Sequence, residues 1–302
     1  MRFHAFSSAI IFCLAAMAED VTISGPTMGL VYSEGVIRPV LGIPGAAYVR
    51  SGLALDFSPE SVTIAPEQTF ALAMSTGKLI LIDASRGKLA MREVEGVTDA
   101  AKAWFSPAGK SALILSKDGL RAQLLTGLPD RPRVSGLVIL SDSVAIAAIG
   151  EDARFALTAS DSGVISQWDG DGNLRGSLTL GDIASLQFYN RSGDALAASR
   201  SSKKLFKIRE SGEAIPICEM DAIAVATSID DTIVYAVSAD GTIQAMRENG
   251  DPAGSYYSPI QATRLQRMGG VLLLNEYGNG PLAVFDGSQV LLIPPARKGG
   301  GQ

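Results

Sequence analysis

The residues of this chain that could do chemistry are few, and most of them are oxygen donors. Asp169-Gly-Asp-Gly-Asn173 sets three oxygen side chains at alternate positions, as calcium loops do. Asp169, Asp171 and Asn173 are therefore the metal candidates. The spacing departs from a calcium hand afterwards. The sixth position is Leu174 rather than Gly, and the twelfth is Leu180 rather than Glu. A polar turn between two strands explains the same residues. Asp230-Asp231, Asp99, Asp142 and Asp182 could in principle converge as an acidic site. Asp is also common in turns for its own backbone hydrogen bonds, and each of these sits in a turn-like stretch. No Gly-x-Gly-x-x-Gly or Walker-type phosphate loop stands between a strand and a helix.

Histidine and cysteine chemistry is nearly absent. The one histidine is His4, and the two cysteines are Cys13 and Cys218. Met1-Arg-Phe-His4 gives a positive start, Ala9–Ala16 an apolar stretch, and Ala16-Met-Ala18 a small-x-small cleavage pattern before Glu19-Asp20. These are the features of a secretory signal peptide over residues 1–18. Its removal would take His4 and Cys13 with it. The mature chain would then lack Ser-His-Asp, Cys-His and His-ligated metal chemistry, and could form no internal disulfide. Cys218, in a strand-like run, reads as a small apolar filler. The expected location is the periplasm or the exterior.

Charge narrows the partners further. After loss of Arg2 the mature chain carries 25 Lys and Arg against 31 Asp and Glu, a balance of −6. That gives no basic footprint for nucleic acid. No apolar stretch after the signal is long enough to span a membrane.

The elements that must position these groups come from a repeat. A serine ends an apolar run, a tight turn follows, and a second apolar run begins. The serines fall at 33, 75, 116, 160, 199 and 238, in steps of 42, 41, 44, 39 and 39. A seventh copy, Leu273-Leu-Asn-Glu-Tyr-Gly-Asn-Gly280, replaces the serine. A period near 40 residues built from short strands predicts a β-propeller. The expected fold is all-β, with seven four-stranded antiparallel blades and a ring closed by the N- and C-terminal strands. Residues 19–295 would form this single domain, with 296–302 a disordered polar tail. The sixth copy shows the grammar. Ala222–Thr227 is an inner strand, Asp230-Asp231 a turn, Thr232–Val237 a second strand, Ala239-Asp240-Gly241 a hairpin turn, and Thr242–Met246 a third strand. Asp20–Ile23 is expected to complete the last blade as a clasp. Residues 39–61 carry extra length, read as a decorated connection between blades one and two.

Ser238-Ala-Asp-Gly-Thr-Ile-Gln-Ala-Met246 and Ser160-Asp-Ser-Gly-Val-Ile-Ser-Gln-Trp-Asp169 resemble the repeats of tryptophan–aspartate (WD) repeat propellers and their bacterial relatives. The resemblance covers about 270 residues. Only Trp168-Asp169 shows the name-giving dipeptide, and the Gly-His pair of that family has no counterpart. In propellers of this kind the turns between second and third strands share a face with the connections between blades. Here those turns carry Glu34, Lys117, Asp118, Asp161, Arg200, Lys203, Lys204, Asp240 and Tyr277. These are the candidate binding residues.

The expected function is an exported, non-enzymatic scaffold that binds another protein or an envelope ligand, without cofactor and as a monomer. The alternative is a propeller hydrolase of the lactonase type, using carboxylates and calcium in the central channel. The residues that line the channel discriminate between the two. The inner-strand segments 223–226, 183–188 and 101–105 are apolar or small, which favours binding.

Overall fold

The computed structural model describes residues 26–85, 89–278 and 280–295. The proposed signal peptide, the Asp20–Ile23 clasp and the 296–302 tail lie outside the described residues. Seven four-stranded antiparallel sheets follow one another along the chain. They span residues 27–54, 61–93, 100–139, 144–179, 183–219, 222–257 and 266–293, and are numbered here as blades 1 to 7. The one helical element among the described residues is a single 3-10 turn, Glu151–Ala153.

The burial pattern shows why these residues form blades. In blade 3 the second strand, Ser111–Ser116, is buried at every position. Its neighbours in the ring cover both faces, so alternation is lost and a continuous apolar run takes its place. The outer strands are different. Ala90–Glu93 is exposed throughout, because only one edge of it meets protein. Each core lies between two blades. Leu113, Leu115 and Leu124 of blade 3 pack with Ile149, Ala156 and Trp168 of blade 4. Burial of each large apolar side chain in such a seam contributes roughly 1.5–3 kcal/mol. A blade alone could not bury these faces, so the repeat is stable only as a ring.

Sequence and structure agree closely on the sixth copy. Its strands are Ala222–Thr227, Ile233–Ser238, Thr242–Arg247 and Pro252–Tyr257. Residues 39–61 differ from the expectation. They are largely the outer part of blade 1, where Ala46–Val49 and Leu53–Ala54 both pair with Val36–Ile43. The outer strand is broken between them at residues 50–52, where Gly52 lies too close to the Ile37 carbonyl for a side chain.

Blade 1 is built differently from the rest. Its first strand, Thr27–Ser33, runs against the sense of the inner strands beside it. The Met28 carbonyl oxygen lies at Gly269, in the turn that ends the inner strand of blade 7. Tyr32 shares a cavity with Ser61, where the inner strand of blade 2 begins. Thr27–Ser33 thus takes the place of a second strand, and the Glu34-Gly35 turn emerges with the other serine turns. The ring closes where blade 1 meets blade 7. Thr27–Ser33 packs on Gln266–Met268, and Val290–Ile293 packs on Ala46–Val49.

Two glutamines bind this closure. Gln68 Oε1 accepts the Leu30 amide at 2.8 Å, and its Nε2 donates to the Arg267 carbonyl at 3.1 Å. One side chain therefore links blades 1, 2 and 7. Gln266 Nε2 donates to the Ile64 carbonyl at 3.2 Å, joining the inner strands of blades 7 and 2 directly.

Candidate binding faces and the central channel

The recurring serine closes its own turn. Ser116 Oγ accepts the Arg121 amide at 3.1 Å and lies 2.8 Å from the Arg121 carbonyl. Ser160 Oγ accepts the Val164 amide at 3.2 Å, and Ser238 Oγ lies 3.2 Å from the Thr242 carbonyl. A short hydroxyl side chain thus clamps the mouth of the hairpin at these three turns, whereas Ser199 Oγ donates to the Leu180 carbonyl at 2.6 Å.

Two of the candidate binding residues belong to the same clamp. Asp118 accepts from Ser116 Oγ and from the Leu120 amide at 3.0 Å. Asp240 accepts from Ser238 Oγ and from the Thr242 amide at 2.9 Å. The serine hydroxyl, foremost among these donors, holds each carboxyl below the usual carboxylate range. Both side chains shape their loops.

Several of the others meet the connections between blades. Lys117 pairs with Glu60 at 2.8 Å, Arg200 with Asp182 at 3.9 Å, and Lys203 with Asp221 at 4.0 Å. Asp161 accepts from Ser143 Oγ at 2.7 Å. Glu34 is exposed at its turn tip, Lys204 opens the third strand of blade 5, and Tyr277 lines a cavity at the blade 7 turn. The nine residues thus share one end of the ring. They are spread around it and form no single cluster.

The oxygen-rich candidates separate. Asp169 accepts the Asp171 amide at 3.0 Å, the Asn173 amide at 2.8 Å, and the Asn173 side-chain amide. Its carboxylate is directed into its own loop, with the geometry of a turn, at the opposite end of blade 4 from Asp161. Backbone and side-chain donors of Asn173 lower its pKa. Asp99, Asp142 and Asp182 lie in connections between blades, whereas Asp230 and Asp231 lie in an inner turn at the other end. They do not converge.

The inner strands of blades 2 to 7 surround a central cavity of about 250 Å³. Its lining is mostly apolar or small: Ile64, Ala103, Trp104, Ala147, Leu186 and Val225 are among it. No carboxylate is in that lining among the described residues. Arg267 is its charged member. Nη1 of Arg267 donates to Asn190 Oδ1 at 2.8 Å and Nη2 to the Thr227 carbonyl at 3.1 Å. Burial lowers the guanidinium pKa from its ordinary value. Glu151, near the same end, accepts from Ser106 Oγ and the Ala108 amide, and burial raises its pKa.

Sequence reasoning missed two concave features. A groove of about 750 Å³ runs between blades 5 and 6 at the inner-turn end. In it Lys207 bridges Asp194, at 2.9 Å, and Glu248, so the charges of its floor are satisfied internally. A cavity of about 430 Å³ lies at the serine-turn end, between blades 7, 1 and 2. Polar residues within short inner strands, Lys102 above all, were the signal that could have marked it.

No protein-family model matches the sequence, and no curated protein sequence matches it. Solved structures do. A functionally unknown protein from Desulfotomaculum acetoxidans DSM 771 superposes with a TM-score of 0.64 at 12% identity, over 88% of this chain and 99% of that one. Sqt1 of Saccharomyces cerevisiae gives 0.60 at 12%, over 90% and 86%. Hsv2 of Kluyveromyces lactis gives 0.57 at 13%, over 74% and 72%. The last two are WD-repeat propellers. At these identities the likeness shows the fold alone.

Proposed function

We propose that this protein is an exported, non-enzymatic propeller that acts as a binding scaffold through its serine-turn face. The observation that carries this reading is the lining of the central cavity. A lactonase-type hydrolase would need several carboxylates converging there, and the lining holds apolar strands and one hydrogen-bonded arginine. The turns around one end, by contrast, differ in charge from blade to blade on a constant frame. Turn variation on a rigid scaffold is how such folds acquire partners. Export is supported by the charged start, apolar stretch and Ala-Met-Ala site of residues 1–18.

The test has two parts. N-terminal sequencing of the protein from its own host is expected to begin at Glu19; a chain that retains His4 overturns export. Cross-linking in envelope extract is expected to capture a defined partner with the wild type and less of it with Arg200/Lys203/Lys204→Ala. The pairs lost in that variant are exposed, and each is worth only ~0–1 kcal/mol, so the fold should survive. Equal capture by this variant and by Glu34→Ala and Asp161→Ala removes the serine-turn face as the binding surface.

A further inference from the structure

The cavity between blades 7, 1 and 2 has a structural origin. Thr27–Ser33 stands in the position of a second strand, and the described part of blade 1 places nothing inside it. Near Ile64 the resulting gap is spanned by Gln266 and Gln68. Toward the serine-turn end the described residues leave about 430 Å³ of space. That volume lies in the range of small-molecule sites, ~300–1,000 Å³.

The polar groups of this space are biased in charge. Lys102 of blade 3 reaches into it with its ammonium 4.6 Å from the Trp104 ring centroid. No carboxylate pairs with Lys102 among the described residues, and desolvation lowers its pKa. Arg264 lines the same cavity and is engaged by Glu276 and, at 2.9 Å, by Gln266 Oε1. Arg267 lies outside this lining, further down the channel, where Asp231 and Glu151 act on its charge. Two cations, Lys102 and Arg264, thus face one carboxylate, Glu276, in a chain whose overall charge is −5. A concave, partly desolvated space of one sign concentrates ions of the other. Tyr32, Tyr277, Val62 and Leu273 supply the apolar walls.

We infer that this cavity is a binding site for a small organic anion, its carboxylate on Lys102 and its flat apolar body against the tyrosine-bearing walls. Lys102 gains the carboxylate partner that the described residues do not give it, and the apolar walls favour an organic acid over a bare ion. The inference rests on the reading of this protein as a binding module and names a ligand class and place for it.

Trp104 is a built-in reporter. A carboxylate that draws the Lys102 ammonium off the ring changes the emission of Trp104; Trp168 lies in the same seam between blades 3 and 4, so a Trp168→Phe background isolates the Trp104 signal. The experiment titrates the mature protein at low salt with 2-naphthoate, with the neutral 2-naphthamide, and with sodium phosphate; binding is read by calorimetry and by Trp104 emission where the probe's absorbance allows. Saturable binding of naphthoate is expected, with naphthamide and phosphate each at least about tenfold weaker. Lys102→Met should weaken naphthoate about tenfold or more, as loss of a charge-assisted hydrogen bond implies, and Lys102→Arg should restore most of it. Lys102→Met sits at an exposed position, and unchanged thermal melting would show that it folds. Absence of naphthoate binding, equal affinity for naphthamide, or wild-type affinity in Lys102→Met each overturns the site. Partner capture at the serine-turn face is measured separately, so loss of this site leaves the scaffold reading standing.

Discussion

Arg267, on the inner strand of blade 7, donates through Nη1 to Oδ1 of Asn190, 77 residues earlier in blade 5, at 2.8 Å. Its Nη2 reaches the Thr227 carbonyl of blade 6 at 3.1 Å. Asn190 in turn donates to Thr227 Oγ1 and the Ser228 carbonyl, and the Asp231 carboxylate accepts from the Asn190 and Arg191 amides. One guanidinium therefore ties three consecutive blades at the channel wall, from the blade that also closes the ring.

Arg267→Leu is expected to destabilise the fold by about 2 kcal/mol, because it leaves Asn190 Oδ1 and a strand carbonyl without their charged donor. Arg267→Lys should recover less than half, since a single ammonium cannot serve both acceptors in the same fork. Urea unfolding measures both. A change below a few tenths of a kcal/mol for Arg267→Leu would show that the staple is idle.

Gly241 and Gly119 separate two costs. Gly241 has φ +88, and a Cβ on it would lie 2.9 Å from the Ser258 carbonyl oxygen; Gly119 has φ +70 with nothing within 4 Å. Gly119→Ala should cost ~1 kcal/mol, the left-handed penalty alone. Gly241→Ala should cost more, ~2 kcal/mol, because a backbone oxygen must move as well. Equal losses in chemical denaturation would mean that the Ser258 contact yields freely.

Trp168 Nε1 donates to Thr158 Oγ1 at 2.9 Å inside blade 4, and both residues are buried. Thr158→Val keeps the shape and removes the acceptor. The indole N–H is then left unsatisfied, at a cost of ~1–3 kcal/mol. Thermal melting tests this, and Thr158→Ser, which keeps the hydroxyl, should fall nearer the wild type. A Val variant as stable as the wild type would argue that the bond contributes nothing.

Asp230 titrates at about 2, held down first by the Ser228 hydroxyl and then by the hydroxyl and amide of Thr232. Its folded pKa lies below the unfolded value, near ~4. The stability it contributes is therefore present above that value and is lost as pH falls through about 2. Asp230→Asn should show a smaller loss of stability on acidification between those limits than the wild type. Carboxyl NMR titration that puts Asp230 near ~4 would contradict the assignment.

The sequence by itself determined the ring. Serines at near-constant spacing, Gly241 after Asp240, and the alternation of Ala222–Thr227 required short strands joined by tight turns, and local chemistry was enough to locate them. A hairpin's geometry is set within a few residues, by a glycine that tolerates positive φ and a hydroxyl that closes the turn. The tertiary structure alone decided what those turns face. Nothing local says that Lys117 meets Glu60, that Asp118 serves its own loop, or that Asp99 and Asp231 end on opposite sides of the disc. The broken outer strand of blade 1 was illegible because residues 46–54 pair with a strand whose register their own pattern does not encode. The central channel was half legible: the apolar inner strands were visible, but the meeting of Arg267 with Asn190 and of Gln266 with Ile64 was not. Such contacts span long stretches of chain and depend on which blades become neighbours when the ring closes, and ring closure is a property of all seven repeats together.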